Sequence, residues 1–251
     1  GRPDLAGDAA ARARELEIAV TGSDLLARAE GAEIRLQAGD ADRAMAEAWA
    51  VAKALGSWTL PPRAPDRAMD DPRVGAAVLA QSQAYSTLGG ALLARGRAGE
   101  AAAWLDAASR MENVLFYLGT RPDTWEGFPL TPDLLARRGL TLCCLGSARL
   151  AVGLEAESSF ALAEYFFHAA GVVAGPALSG AFRAQGLLLA GHPGEAAEAA
   201  LSARGQAEAW DMMDLSWRLD TLRGQALARA GEASGAADAL RRAQRLADRL
   251  A

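Results

Sequence analysis

Three observations predict an all-α chain of stacked antiparallel helix hairpins. The first is self-similarity: residues 92–105 (LLARGRAGEAAAWL), 188–201 (LLAGHPGEAAEAAL) and 227–240 (LARAGEASGAADAL) nearly repeat one another. Each stretch is an apolar helix end, a glycine turn (Gly96, Gly191, Gly231) and an Ala-rich second helix, so one helix-turn-helix unit is reused. The second is composition: the chain is 51% hydrophobic but only 6% aromatic, and its apolar content is mainly Ala, Leu and Val. Ala and Leu form helices readily and let them approach closely. The third is periodicity, which is helical along the chain with essentially no strand signal.

Apolar period, glycine turns and Ser, Thr, Asp or Pro start signals divide the chain into about eleven helices. Their predicted bounds are 3–20, 24–38, 41–55, 72–95, 98–118, 132–152, 156–171, 176–190, 194–206, 209–230 and 233–250. Ser23 is placed to cap the second of them, its hydroxyl meeting a free amide. Pro72, Pro132 and Pro176 suit first-turn positions, where a missing donor does no harm. Two long loops interrupt the pattern. Residues 56–71 carry Trp58, Pro61, Pro62 and Pro65, and residues 119–131 carry Pro122, Trp125, Phe128 and Pro129. Loops of this length are uncommon inside compact arrays. Their aromatic residues either cover open core edges or meet a partner, and covering is the commoner role.

The turn glycines act as a ruler. Gly39, Gly96, Gly153, Gly191 and Gly231 are separated by 57, 57, 38 and 40 residues. The shorter spacings are those of a helical repeat, and the longer ones are the same unit carrying the extra loops.

These residues resemble the tetratricopeptide repeat family. Its pattern of an aromatic or Leu, then Leu and a small residue, followed by Ala, a large apolar residue and Ala, is carried by Tyr85, Leu88, Gly89, Leu92, Ala101, Leu105 and Ala108. Ala184, Leu187, Ala196 and Ala203 repeat it, with Ala200 where a larger residue is typical. Gly224, Leu227, Ala236, Leu240 and Ala243 repeat it again. Leu145 and Gly146 open a weaker copy in which Ser158 stands for Ala, and Ala44 with Ala48 mark the weakest. The resemblance covers residues 24–250 and implies a right-handed α-solenoid, read as one repeat domain over 1–251. Small residues are needed where the two helices of a hairpin cross. Because the chain begins with Gly1 rather than Met, it is also readable as a fragment of a longer protein.

Charge narrows the functional classes. With 26 basic and 31 acidic residues the net charge is -5, which disfavours non-specific nucleic-acid binding by the whole surface. Lys53 is the only lysine, a bias toward Arg typical of GC-rich bacterial coding. The uncharged run 169–182 is interrupted by Gly175 and Pro176 and is too short to span a membrane. The two adjacent cysteines, Cys143 and Cys144, cannot staple distant segments, and no signal peptide is visible, so a cytoplasmic location is expected.

Candidate chemistry is sparse. Cys143 and Cys144 diverge by about 100° on a helix and share no metal easily, so they are expected as small core residues. His192 lies in a turn, while His168, after Tyr165, Phe166 and Phe167, is expected in the core. Asp70 and Asp71 resemble part of the aspartate motif of helical terpenoid synthases, but its third aspartate is missing and both precede a helix start. Glu208, Asp211 and Asp214 also read as helix-start acids. Arg241, Arg242, Arg245 and Arg249 read as a solvated face. No phosphate loop, zinc-binding helix or nucleophile elbow is present, so the expectation is a non-enzyme without metal or cofactor.

In tetratricopeptide proteins the first helix of each hairpin lines the concave groove. On that resemblance the groove of this chain offers Gln83, Ser86, Gly90, Cys143, Ser147, Gln185, Arg218, Thr221 and Gln225. Gln83, Gln185, Arg218 and Gln225 are the expected binding residues, with Trp125 and Phe128 as accessory contacts. The Lys and Asn residues that clamp a carboxylate in the chaperone-binding branch are missing at these positions. A neutral groove of amides, hydroxyls and Arg suits a protein or peptide segment, or a small polar ligand. The alternative is a ligand-sensing or oligomerising domain of a multidomain bacterial transcription regulator, which the long loops also fit. It would carry any recognition helix elsewhere, since these residues show none.

Overall fold

The computed structural model describes residues 24–56, 72–119 and 130–250. The expected first helix, the Ser23 cap, Asp70 with Asp71, and the loop residues Trp58, Trp125 and Phe128 lie outside them. The described residues form ten helices and no strand. These are α1 (Leu25–Gln37), α2 (Ala41–Leu55), α3 (Pro72–Ala94), α4 (Ala98–Gly119), α5 (Pro132–Ala151), α6 (Glu157–Ala169), α7 (Gly175–Leu189), α8 (Pro193–Ala209), α9 (Met213–Arg229) and α10 (Ala233–Leu250).

The chain divides into two compact units, Gly1–Leu130 and Thr131–Ala251. In the first, α1 packs on α2 and α3, α2 on α3, and α3 on α4. In the second, α5 packs on α6 and α7, α7 on α8, α8 on α9 and α9 on α10, with lighter contacts of α7 to α6 and α9. Within each unit, helices adjacent in sequence therefore pack together, as hairpins added one after another require. No described helix is long and apolar enough to cross a membrane.

One turn geometry recurs among the described residues. The amides of Asp40, Arg97, Leu154, His192 and Glu232 each return to the carbonyl five residues earlier, at 2.9 Å. In each turn the preceding glycine is left-handed, at Gly39, Gly96, Gly153, Gly191 and Gly231, the same glycines that set the ruler. This closure satisfies helix-end carbonyls and needs a positive φ that glycine adopts without strain. Gly171 makes the same turn between α6 and α7.

Between α8 and α9 the residue is not glycine. Asp211 takes φ 53°, and the Met212 amide closes on Ala207 O at 2.9 Å. The expected helix from 209 therefore begins only at Met213, because no Gly or Pro marks this turn in the sequence. Asp is among the residues that tolerate the left-handed region, though at a cost. Asp211→Gly is expected to raise stability by about 0.5–1 kcal/mol in urea unfolding, and a loss would show that the carboxylate supports the turn.

Helix starts carry their own caps. Thr131 Oγ1 accepts from the Leu134 amide at 3.3 Å with Pro132 in the first turn, and Asp40 Oδ1 accepts from the Arg43 amide at 3.2 Å. Glu155 accepts from the Ser158 amide at 2.9 Å and hydroxyl at 2.7 Å, bonds that hold its carboxyl below the usual range. That cap turns Ser158 outward and brings Ser159 and Phe160 into the core, so Ser158 does not fill the expected crossing position.

Small residues set the helix spacing. A Cβ on Gly89, Gly146 or Gly224 would come within 3.0 Å of Leu105, Phe160 or Leu240 respectively. Between α7 and α8, Ala184, Ala200, Ala203 and Ala207 pack with Leu219 of α9, so Ala200 serves without a larger side chain. One of the buried charges joins three helices. Asp220 of α9 is fully buried between Arg204 of α8, Nε–Oδ2 3.0 Å, and Arg242 of α10, Nε–Oδ1 3.4 Å. Arg242 thus departs from the solvated face expected of the C-terminal arginines, while Arg241, Arg245 and Arg249 are exposed.

Candidate binding sites

The expected groove residues separate into open and buried sets. Around α7, Arg183 reaches Glu157 and the Phe160 ring on α6, Gly186 meets Ser147 of α5, and Ala184 joins the alanines of α8. At about 100° per residue these contacts occupy three directions and leave Gln185 on the remaining one. Around α9, Asp220 and Gly224 meet α10 and Leu219 joins the α8 cluster. Arg218 and Gln225, seven residues apart, share an exposed face of that helix. The half-buried Thr221 lies between them and donates to Trp217 O at 2.9 Å.

Gln185 and Gln225 have no hydrogen-bond partner among the described residues, and the Arg218 guanidinium lies 5.5 Å from the Trp217 ring centroid without an ion pair. Two free amides and a guanidinium offer donors in several directions and two carbonyl acceptors. Such a set can pair with an extended backbone without selecting charge strongly.

Gln83 is different. It is buried, and its amide nitrogen donates to Glu33 Oε2 of α1 at 2.7 Å. It serves the α1–α3 contact rather than an open surface, a role that single-helix periodicity does not reveal. Cys143 and Ser147 are likewise buried. Burial, then the neighbouring Cys144 and Glu164, push the Cys143 thiol well above its ordinary range, which keeps it protonated and poorly nucleophilic.

His168 is exposed, not in the core as expected, because the helix turns Phe166 and Phe167 inward instead. His192 is exposed in its turn, with Nδ1 3.3 Å from Glu195 Oε1. Among the described residues, no group of three or more His, Cys, Asp or Glu side chains is arranged to hold a metal.

A concave site that the sequence analysis passed over lies in the first unit. A cleft of about 480 Å³ has one wall from Asp42, Met45, Ala46 and Trp49 of α2 and another from Arg97, Glu100 and Trp104 at the start of α4. Its floor is Leu88 and Leu92 of α3, the helix on which both walls pack. Trp49 meets Trp104 edge to face with centroids 5.5 Å apart, and Tyr85 lies 5.1 Å from Trp104. At the other end Arg95 pairs with Asp42, and Arg97 holds Glu100 through bonds of 2.7 and 2.6 Å that keep this carboxyl below its usual range.

The signal was present in the sequence. Asp42, Met45, Ala46 and Trp49 have i, i+3, i+4, i+7 spacing on the side of α2 opposite the buried Ala44, Ala48 and Val51. Attention to the first helix of each hairpin hid it, since Trp49 and Trp104 belong to second helices.

Among the described residues the chain is thus all-α, its helices packing on their sequence neighbours within each unit, with unpartnered polar side chains on α7 and α9 and an aromatic cleft in the first unit. Compared with models of known protein families and with the sequences of curated proteins, it matches none.

Proposed function

We propose that the chain is a non-catalytic scaffold of the tetratricopeptide type, a right-handed solenoid that binds a protein segment through the face carrying Gln185, Arg218 and Gln225. The observation that carries this reading is the set of free amides and guanidinium on α7 and α9, which touch each other. Polar side chains left without partners beside packed helices are suited to directional hydrogen bonds with a peptide backbone. Cys143 and Cys144 are not joined in a disulfide, which fits work in the reducing bacterial cytoplasm.

The test is affinity capture with the wild-type chain and with a Gln185→Ala, Arg218→Ala double variant. Recovery of the protein retained by the wild type is expected to fall at least about tenfold, because loss of polar anchors removes both energy and orientation. The helical melt should stay within about 1 kcal/mol of wild type, as usual for surface substitutions. Equal recovery by the two proteins would sink the proposed face.

A further inference from the structure

Arginines from three successive helices enter the crevice that α8 and α10 form over α9. Arg204 of α8 and Arg242 of α10 both reach the fully buried Asp220, each through its Nε. Arg223 stands one turn further along α9. At about 100° per residue it lies roughly 40° from Leu219, which packs on the alanines of α8, and roughly 60° from Asp220, whose partner Arg242 is on α10. Its side chain therefore leaves α9 between the two flanking helices, as that of Asp220 does.

The charges in this crevice do not cancel. Asp220 has Arg204 and Arg242, Glu208 pairs with Arg204 at 2.5 Å, and Asp238 pairs with Arg241. Arg223 has neither an ion pair nor a hydrogen bond among the described residues, although its Nε is buried. Arg204 Nε is also buried without an aligned hydrogen bond, since its 3.0 Å contact with Asp220 Oδ2 is one of charge alone. Buried donors are normally satisfied, and a guanidinium withdrawn from water without an anion is costly.

Geometry narrows the anion that fits. Asp220 engages Arg242 through Nε, which leaves both terminal nitrogens of that arginine without a hydrogen bond among the described residues. Each guanidinium offers its donors in one plane, and planes coming from three helices surround a point from several sides. A tetrahedral phosphate presents oxygens in that many directions, whereas a flat carboxylate is already matched by a single arginine fork.

We propose that the crevice between α8 and α10 binds a phosphate group through Arg223, Arg242 and Arg204. Arg223 lies roughly 140° around α9 from Arg218 and 160° from Gln225, so the site is separate from the proposed peptide-binding face and does not depend on it.

The probe is inorganic phosphate, added to the full chain at constant ionic strength and followed by thermal unfolding and titration calorimetry, with glycerol phosphate and acetate as companions. Phosphate at about 10 mM is expected to raise the melting temperature by about 3 °C, and acetate to bind at least about fivefold more weakly. Glycerol phosphate binding as well as phosphate supports a phosphoryl group carried on a larger molecule, and its exclusion supports the free ion.

Phosphate also stabilises folded chains by being excluded from their surfaces, so the readout is the difference between wild type and variant. Arg223→Met should remove most of the rise while leaving the melt without phosphate unchanged or higher, because it deletes an unpaired, partly buried charge. Arg242→Lys, which keeps a charge for Asp220 but has no fork, should weaken phosphate binding at least about fivefold. Gln185→Ala with Arg218→Ala should leave the rise intact. No heat of phosphate binding, an equal rise in Arg223→Met, acetate binding as tightly as phosphate, or loss of the effect in the Gln185→Ala, Arg218→Ala variant would each overturn the assignment.

Discussion

Asp220→Ala is expected to lower the stability of the second unit by about 3 kcal/mol, because it leaves two largely buried guanidinium groups without their shared carboxylate. Asp220 is fully buried, while the side chains of Arg204 and Arg242 are 19% and 30% exposed. That partial access to water keeps the loss toward the low end of the range for broken buried pairs. The effect should concentrate in α8, α9 and α10, the helices these three residues join. Hydrogen exchange across α8–α10 is the measurement, since a chain of two compact units need not unfold in one step.

A triple replacement, Asp220→Leu with Arg204→Met and Arg242→Met, separates charge from packing. It should recover most of the lost stability, because apolar side chains of similar volume avoid desolvating three charges. If Asp220→Ala exchanges like wild type, the ion pairs do not hold these helices together. If the triple variant is as weak as the single, shape rather than charge governs the site.

Gly186→Ala is expected to destabilise by about 2 kcal/mol net, whereas Gly205→Ala, the same substitution one helix later, should stabilise by about 1 kcal/mol. A Cβ on Gly186 would stand 2.8 Å from the Ser147 carbonyl oxygen and 3.0 Å from its Cα. Those atoms are backbone of α5 and cannot rotate away, so α5 and α7 must separate. A Cβ on Gly205 meets nothing within 4 Å, and only the helix-propensity gain remains. Urea unfolding of both variants gives the signs directly. A neutral Gly186→Ala would mean that the α5–α7 contact yields easily.

Much of the fold was legible because its signals are local. Gly39, Gly96, Gly153, Gly191 and Gly231 are required by the left-handed residue of each turn, so their spacing located the hairpins before any contact was known. The turn at Asp211 was hidden for the same reason, since an aspartate can take that conformation without announcing it. Ser158 was misplaced because a Glu155 cap, not the repeat spacing, sets where α6 starts.

The candidate sites were less legible. Periodicity distinguishes the face of a helix that meets its hairpin partner, but each helix in a stack also meets the helices before and after it. Gln83 therefore looked open and is buried against Glu33, while His168 looked buried and is exposed. Arg218 and Gln225 are exposed and Gln185 is half-buried. The Trp49–Trp104 cleft needs three helices at once, and no window of sequence contains it.

By itself, then, the sequence determined the all-helical class, the hairpin turns and the small residues at the crossings, because each follows from backbone conformation or steric need within one or two neighbouring segments. Only the tertiary structure decided that Asp220 shares its charge with two arginines, that Gln83 is spent on α1, and that two tryptophans 55 positions apart form a cleft. These outcomes depend on how side chains from successive helices meet, and that geometry is set by the packing of all of them together.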